Sequence, residues 1–225
     1  MLGALRVMPK YAAAGPPVSG YVGWWDASDA TSITSSGGAV SQWNDKSGNG
    51  YHVSTVAAVK PSTGTRTLNG MNVIDWPNTG GQNLSRTVAL SQPLTVFAVI
   101  ATDATNAAQH YWFADVTAYQ EGTPSTWRLY AGSVLNSGVS VDTSAHTMTS
   151  IFNGASSQLF KDGTQIGATS NAGSTGITKI SIGGGTSTNA PWDGLIAEVV
   201  LYTSALGASD RQSVESYLKA KWGTP

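Results

Sequence analysis

The chain has 225 residues, an ordinary length for one undivided β-sandwich, with 12 Lys and Arg against 13 Asp and Glu and a formal charge of −1. Charged residues make up only 11%, so solubility rests on Ser, Thr, Asn, Gln and Gly, and no basic run is present to draw nucleic acid or anionic lipid. The absence of cysteine excludes disulfides, thiolate metal sites and cysteine nucleophiles.

Residues 1–19 read as an extended arm rather than a secretion signal. A signal needs about 7–15 uninterrupted apolar residues, and Arg6, Pro9 and Lys10 break the run. No segment approaches the roughly 18 apolar residues of a membrane span. Leu2, Leu5, Val7, Met8 and Tyr11 are apolar side chains that so short a segment cannot bury alone, which makes them candidates for docking on another subunit. Folding back on their own domain is the alternative. Gly15-Pro16-Pro17 ends the arm, because proline lacks a donor and disfavours helix before it.

Residues 20–225 show short β-type runs separated by turn signals. Tyr21–Trp25 opens the series, and its adjacent Trp24 and Trp25 must point to opposite faces of one strand. Asn72–Trp76 follows. Leu94–Ala101 is almost continuously apolar and predicts a central strand buried on both faces, while Trp127–Ala131 alternates and His146–Phe152 continues the sheet. Asp162-Gly163 between Gln158–Lys161 and Thr164–Ile166 predicts a type I′ hairpin, since both central residues need positive φ. Lys179–Ile182 and Leu195–Tyr202 are the last strands. In the latter, Leu195, Ala197, Val199 and Leu201 are expected on one face and Ile196, Glu198, Val200 and Tyr202 on the other.

One helix is predicted near the C-terminus, with Ser209 and Gln212 as a capping box, Asp210 in the first turn, Lys219 and Lys221 at the end and Gly223 as the stop. Thr31–Ala39, Ser62–Thr67, Asn171–Gly176, Gly183–Ala190 and the stretch Asp103–Ser125 read as loops.

Trp24-Trp25-Asp26-Ala27-Ser28-Asp29, followed by Trp43-Asn44-Asp45-Lys46-Ser47-Gly48-Asn49-Gly50, resembles the opening of laminin-G-like, concanavalin-A-like jelly-roll domains. Gly194–Tyr202 and Ser209–Gly223 resemble the last strand and closing helix of that family, so the likeness covers roughly residues 20 to 223. It implies an all-β, two-sheet antiparallel jelly-roll sandwich and a habit of binding sugars or proteins at surfaces.

The family includes retaining glucanases, which need two carboxylates about 5–5.5 Å apart. No strand carries acidic residues at alternate positions, and Glu198 reads as a single half-buried carboxylate at the sandwich edge, so no catalysis is expected. His52, His110 and His146 read as surface or hairpin residues, without a Gly-x-Ser-x-Gly elbow nearby. Asp45 to Gly50 matches the first half of an EF-hand loop, but position twelve falls on Val56. Asp45 and Asn49 then remain candidate ligands for a calcium ion completed by distant loops, against a turn in which they bond their own backbone.

Sugar recognition in this fold class is expected to use an aromatic face beside amide or carboxylate groups. The exposed candidates are Tyr111, Trp112, Tyr119 and Glu121, with Asn106, Gln109 and Gln120 close in sequence. Trp76, Trp127 and Trp222 are read as packing residues. The resemblance, the lack of a signal-like run and the arm together suggest a phage virion component, assembled in the host cytoplasm: a minor tail protein, oligomeric within the particle. Its arm would dock on other virion proteins and its sandwich would meet host-surface glycan or neighbouring subunits, with neither nucleic acid nor membrane insertion involved. A purely structural capsid or tail decoration protein and a carbohydrate-binding module of a cellular glycan-active protein are the alternatives.

Overall fold

A computed structural model describes residues 15–78, 82–106, 108–185 and 190–225. The arm residues Leu2, Leu5, Val7, Met8 and Tyr11 lie outside the described residues. In chain order the elements are β1 (Tyr21–Asp26), β2 (Ile33–Ser36), β3 (Ala39–Trp43), β4 (Val53–Ser54), β5 (Ser62–Leu68), β6 (Met71–Pro77), β7 (Leu84–Leu90), β8 (Leu94–Thr102) and β9 (His110–Ala114). There follow β10 (Thr117–Glu121), β11 (Thr126–Tyr130), β12 (Val134–Ser140), β13 (His146–Phe152), β14 (Gln158–Lys161), β15 (Thr164–Gln165), β16 (Ile177–Ile182), β17 (Asp193–Tyr202) and the helix α1 (Ala208–Trp222).

All strand pairings among the described residues are antiparallel, and they form two layers. In the first layer β17 lies between β8 on one edge and β1 and β6, set end to end, on the other; β13, β14 and β15 continue beyond β8. The second runs β3–β4–β7–β16–β9–β10–β11–β12. A single pair, Ala39 with Ser62, joins the layers at one edge. The inner faces enclose the main core, which includes Trp25, Trp43, Trp76, Ile100, Trp112, Phe113, Trp127, Leu129, Ile196 and Leu201. Behind the first layer, α1 closes a second apolar cluster of Phe97, Val99, Val200, Tyr202, Val214, Tyr217, Leu218 and Trp222. Among the described residues the architecture is an all-β sandwich of jelly-roll type with one α-helix.

Because β8 lies between the two cores, all nine of its residues are buried, as its continuous apolar run predicts. The Asp-Gly hairpin forms with both central residues at positive φ (52° and 82°), pairing Lys161 with Thr164. The face alternation expected of β17 slips. A bulge between Ile196 and Glu198 inserts one residue against β8, so Leu195 and Ala197 face the helix while Val199 and Leu201 face the main core. The same slip places Glu198 under the helix with Val200 and Tyr202.

The helix begins two residues earlier than the capping box implies. Gly207 is its N-cap, with no side-chain cap, and Ser209 sits inside the first turn, where its carbonyl accepts from Ser213. Gly223 ends it as expected, left-handed at φ 70°, with its N–H donating to the Lys219 carbonyl. Three stretches expected as loops contain strands. Thr31–Ala39 and Ser62–Thr67 supply β2 and β5, and Asp103–Ser125 holds β9 and β10. The end of the expected arm touches the sandwich: Pro16 is buried and the Val18 carbonyl accepts from the Tyr202 hydroxyl at 2.8 Å.

Candidate functional site

Of the eight tryptophans, all but Trp24 are buried, so the aromatic wealth of the composition belongs mainly to the cores. Exposed rings must be sought elsewhere. Strands β9 to β12 supply them, because alternation sends one set of side chains inward and the other out. Ala118, Gln120, Trp127, Leu129 and Leu135 face the core. Register pairs Tyr119 with Tyr111 and Arg128, Tyr130 with Thr117 and Val134, and Arg128 with Asn136, all on the outer face.

On this face the Tyr111 and Tyr119 rings meet edge to face at 5.2 Å. The Tyr111 hydroxyl donates to Gln109 Oε1 at 2.7 Å, and Gln109 Nε2 donates to Glu121 Oε1 at 2.7 Å. Arg128 closes the chain by pairing with Glu121 Oε2 at 2.8 Å and donating from Nε to Thr126. Burial, reinforced by the Glu121 charge, pushes the Tyr119 phenol up to about 12 and the Tyr111 phenol above its ordinary value. Both therefore stay neutral at physiological pH. Tyr130 is 43% exposed and Val134 52%, at the hairpin end of the same face. A cleft of about 340 Å³ opens beside it, lined by Asn78, Asn106, Ala108, Gln109, His110, Ala190 and Pro191.

Tyr111, Tyr119 and Glu121 are thus brought together as expected by the sequence, but Trp112 is not with them. It is 1% exposed in the main core, because the bulge between Ala118 and Tyr119 on the β9–β10 pair lets two consecutive residues, Trp112 and Phe113, face inward. Tyr119 is 4% exposed, a floor under Tyr111 rather than an open ring. Tyr130, Arg128 and Asn136 were the residues missed; the alternation of Trp127-Arg128-Leu129-Tyr130, read outward, is the signal that finds them.

The Asp45 turn is self-contained. Asp45 Oδ1 accepts from the Trp24 and Ser47 amides and Oδ2 from the Tyr51 amide and Ser47 hydroxyl, at 2.7 to 3.0 Å. Asn49 donates to the Val22 carbonyl. Their polar groups bond the turn and the start of β1, and no cluster of three His, Asp or Glu side chains suited to a metal occurs among the described residues.

Two of the three histidines, His110 and His146, differ from the expected surface position. His52 is exposed, with Nδ1 accepting from the Asp45 amide. His110 is buried between the Pro191 carbonyl and Asn106 Oδ1. His146 is also buried, with Nδ1 at 2.6 Å from Asp162 and Nε2 at 2.8 Å from Asp142. Burial disfavours its cation, but the two carboxylates outweigh that and raise its pKa.

Glu198 is neither half-buried nor at the edge. It is completely buried in mid-sheet, between β1 and β8 and beneath α1. Oε1 accepts from Trp24 Nε1 (2.7 Å) and the Tyr217 hydroxyl (3.0 Å), and Oε2 from Lys221 Nζ and Trp222 Nε1 (both 2.7 Å). The Lys221 ammonium also pairs with Asp26 at 2.8 Å, and Lys46 joins Asp26 to Asp29. Burial pushes the Glu198 carboxyl up despite Lys221. At Asp26 burial acts the same way, yet Lys221, Ser28 and Lys46 together hold it below the usual range. The opposite directions follow from depth, since Glu198 shares one lysine and Asp26 draws on two. The two carboxylates converge on one nitrogen, and the lysine fills the space between them beneath the helix.

No protein-family profile matches the sequence, and no curated protein matches it either. Solved structures do share the fold. Domain 4 of AbnA, a GH43 extracellular arabinanase from Geobacillus stearothermophilus, in complex with arabinotriose, is 9% identical with a TM-score of 0.62, over 88% of this chain and 98% of that one. Trypanosoma rangeli sialidase in complex with sialic acid is 16% identical with a TM-score of 0.62, over 94% of this chain, which spans 35% of the sialidase. The binding domain of Paraclostridial Mosquitocidal Protein 1 is 11% identical with a TM-score of 0.60, over 92% of this chain and 55% of that one. At these identities the likeness is one of fold.

Proposed function

We propose that the chain is a non-catalytic glycan-binding module whose ligand lies on the outer face of β9 to β12. The observation that carries the reading is the joined surface of Tyr111, Gln109, Glu121 and Arg128 over Tyr119, with the exposed Tyr130 on the same face. Neutral phenol rings offer faces for sugar C–H groups, and the amide, carboxylate and guanidinium, held by one another, offer fixed donors and acceptors for hydroxyls. Domain 4 of AbnA, a similar fold solved in complex with arabinotriose, supports it. Against catalysis stands the sealing of Asp26 and Glu198 by Lys221 and α1. A glycan array probed with the full chain and with Tyr130→Ala tests the reading. The wild type is expected to bind a defined set of glycans and the variant to lose roughly tenfold or more in affinity; equal signals from the two would refute it.

The proposal extends to a phage tail, with residues 1–19 as the attachment to other virion proteins. Its support is the family resemblance and the apolar series Leu2, Leu5, Val7, Met8 and Tyr11. Size-exclusion of the full chain and of a chain lacking residues 1–14, each mixed with tail subunits, is expected to show association of the full chain only. Identical behaviour of both removes the anchor.

A further inference from the structure

Resting on the glycan-binding reading, we infer that the ligand is an uncharged oligosaccharide that spans two adjoining subsites: the tyrosine face and the amide-lined cleft, with Gln109 as the residue common to both. Gln109 lines the cleft and also bonds Tyr111 and Glu121 on the face, so its side chain is the physical seam between them. In the cleft the polar side chains are Asn78, Asn106, Gln109 and His110, with no carboxylate, lysine or arginine among the described lining residues. Asn106 Oδ1 accepts from the Ala108 amide and lies 3.0 Å from His110 Nε2 in the wall of the cleft. Amides supply donors and acceptors together, the combination a sugar hydroxyl uses, and they give no net charge to attract an acid group.

The face is neutral in the same sense. Arg128 is its one described cation, and Glu121 holds that guanidinium through NH1 while Thr126 accepts from Nε. A sialic or uronic carboxylate reaching Arg128 would come to lie beside the Glu121 carboxylate that already pairs with it, a like-charge contact with no second cation of this face among the described residues to offset it. A neutral sugar needs no such exchange. The adjoining cleft, about 340 Å³ in volume, gives a chain of sugars a second place to bind beyond the rings of Tyr111 and Tyr130.

Isothermal titration of the full chain tests this with neutral trisaccharides (arabinotriose, xylotriose, cellotriose, maltotriose), their monosaccharides, and two acidic probes, 3′-sialyllactose and trigalacturonate. The expected result is binding of a neutral trisaccharide at least roughly tenfold tighter than its monosaccharide, with little dependence on salt. Ala108→Trp, which fills the cleft without removing a hydrogen-bonding side chain, and Asn106→Ala should each remove most of that advantage. Near-UV circular dichroism checks that both variants fold. Preference for an acidic probe, weakening steeply with salt, overturns the inference and leaves the glycan reading standing. Equal affinities for trisaccharide and monosaccharide, or an Ala108→Trp chain that binds the trisaccharide as the wild type does, overturn the two-subsite arrangement in the same way. Failure of every sugar to bind overturns the glycan reading itself.

Discussion

A single side chain, Lys221, decides the electrostatics behind the first sheet. It is 1% exposed and is bonded to both Asp26 and Glu198. Replacing it by Met keeps the packing volume but leaves two buried carboxylates without their shared cation, a loss of about 3–5 kcal/mol. Urea denaturation of Lys221→Met should show it, whereas Lys46→Ala, at the partly exposed end of the network, should cost about 1 kcal/mol or less. His146 sets a pH dependence of its own. Because Asp162 and Asp142 raise its folded-state pKa above the ordinary 6.5, its contribution is complete below that value and is lost as pH climbs through the raised one. Denaturation midpoints measured from pH 5 to 9 should fall across that window in the wild type, and His146→Gln should remove that part of the slope. Neither cluster is legible locally. Glu198 stands 23 residues from Lys221, and its neighbours Val199 and Val200 describe a strand, not the helix that returns over it.

Among the elements, the helix start offers a direct check. Gly207 caps α1 in an extended conformation, φ −66°, and an added Cβ there meets nothing within 4 Å. Gly207→Asp supplies the missing side-chain acceptor and a negative charge at the positive end of the helix, and should stabilise by about 0.5–1 kcal/mol, visible as a higher Tm. Gly194 is the opposite case. Its φ is 135° and a Cβ would lie 2.1 Å from the Ala101 carbonyl oxygen on β8, so Gly194→Ala should cost about 2–4 kcal/mol in the same assay. Elements whose local chemistry agrees with their setting could be read from the chain: β8 from its unbroken apolar run, the Asp162-Gly163 hairpin from its turn residues, and the stop at Gly223. Strands β5 and β9 could not. Ser62-Thr-Gly-Thr-Arg-Thr-Leu68 has the composition of a loop, and the bulge at β9 erases the alternation that would have marked His110–Ala114 as half-exposed. The bulge in β17 works the same way, since a period of two carries no sign of where one extra residue enters.

At the scale of the whole molecule, the two faces of the sandwich have different fates. The outer face of the first sheet is covered by α1 and sealed by Trp222, Tyr217 and the Lys221 pairs. That of the second leaves three tyrosines and an internally neutral Glu121–Arg128 pair at or near the surface, with the amide cleft alongside. The sequence singled out Tyr111, Tyr119 and Glu121 of this face but not Tyr130 and Arg128, which arrive from the next strand. A module built this way should bind through strands rather than flexible loops, and so with little change in shape. The direct test is an NMR titration of the labelled chain with the best glycan from the array, following backbone amides. The account predicts that the perturbed residues cluster on β9 to β12, around Tyr111, Tyr119 to Glu121, Arg128 and Tyr130. Perturbations centred on α1 or on the β14–β15 hairpin, with these amides unmoved, would contradict it.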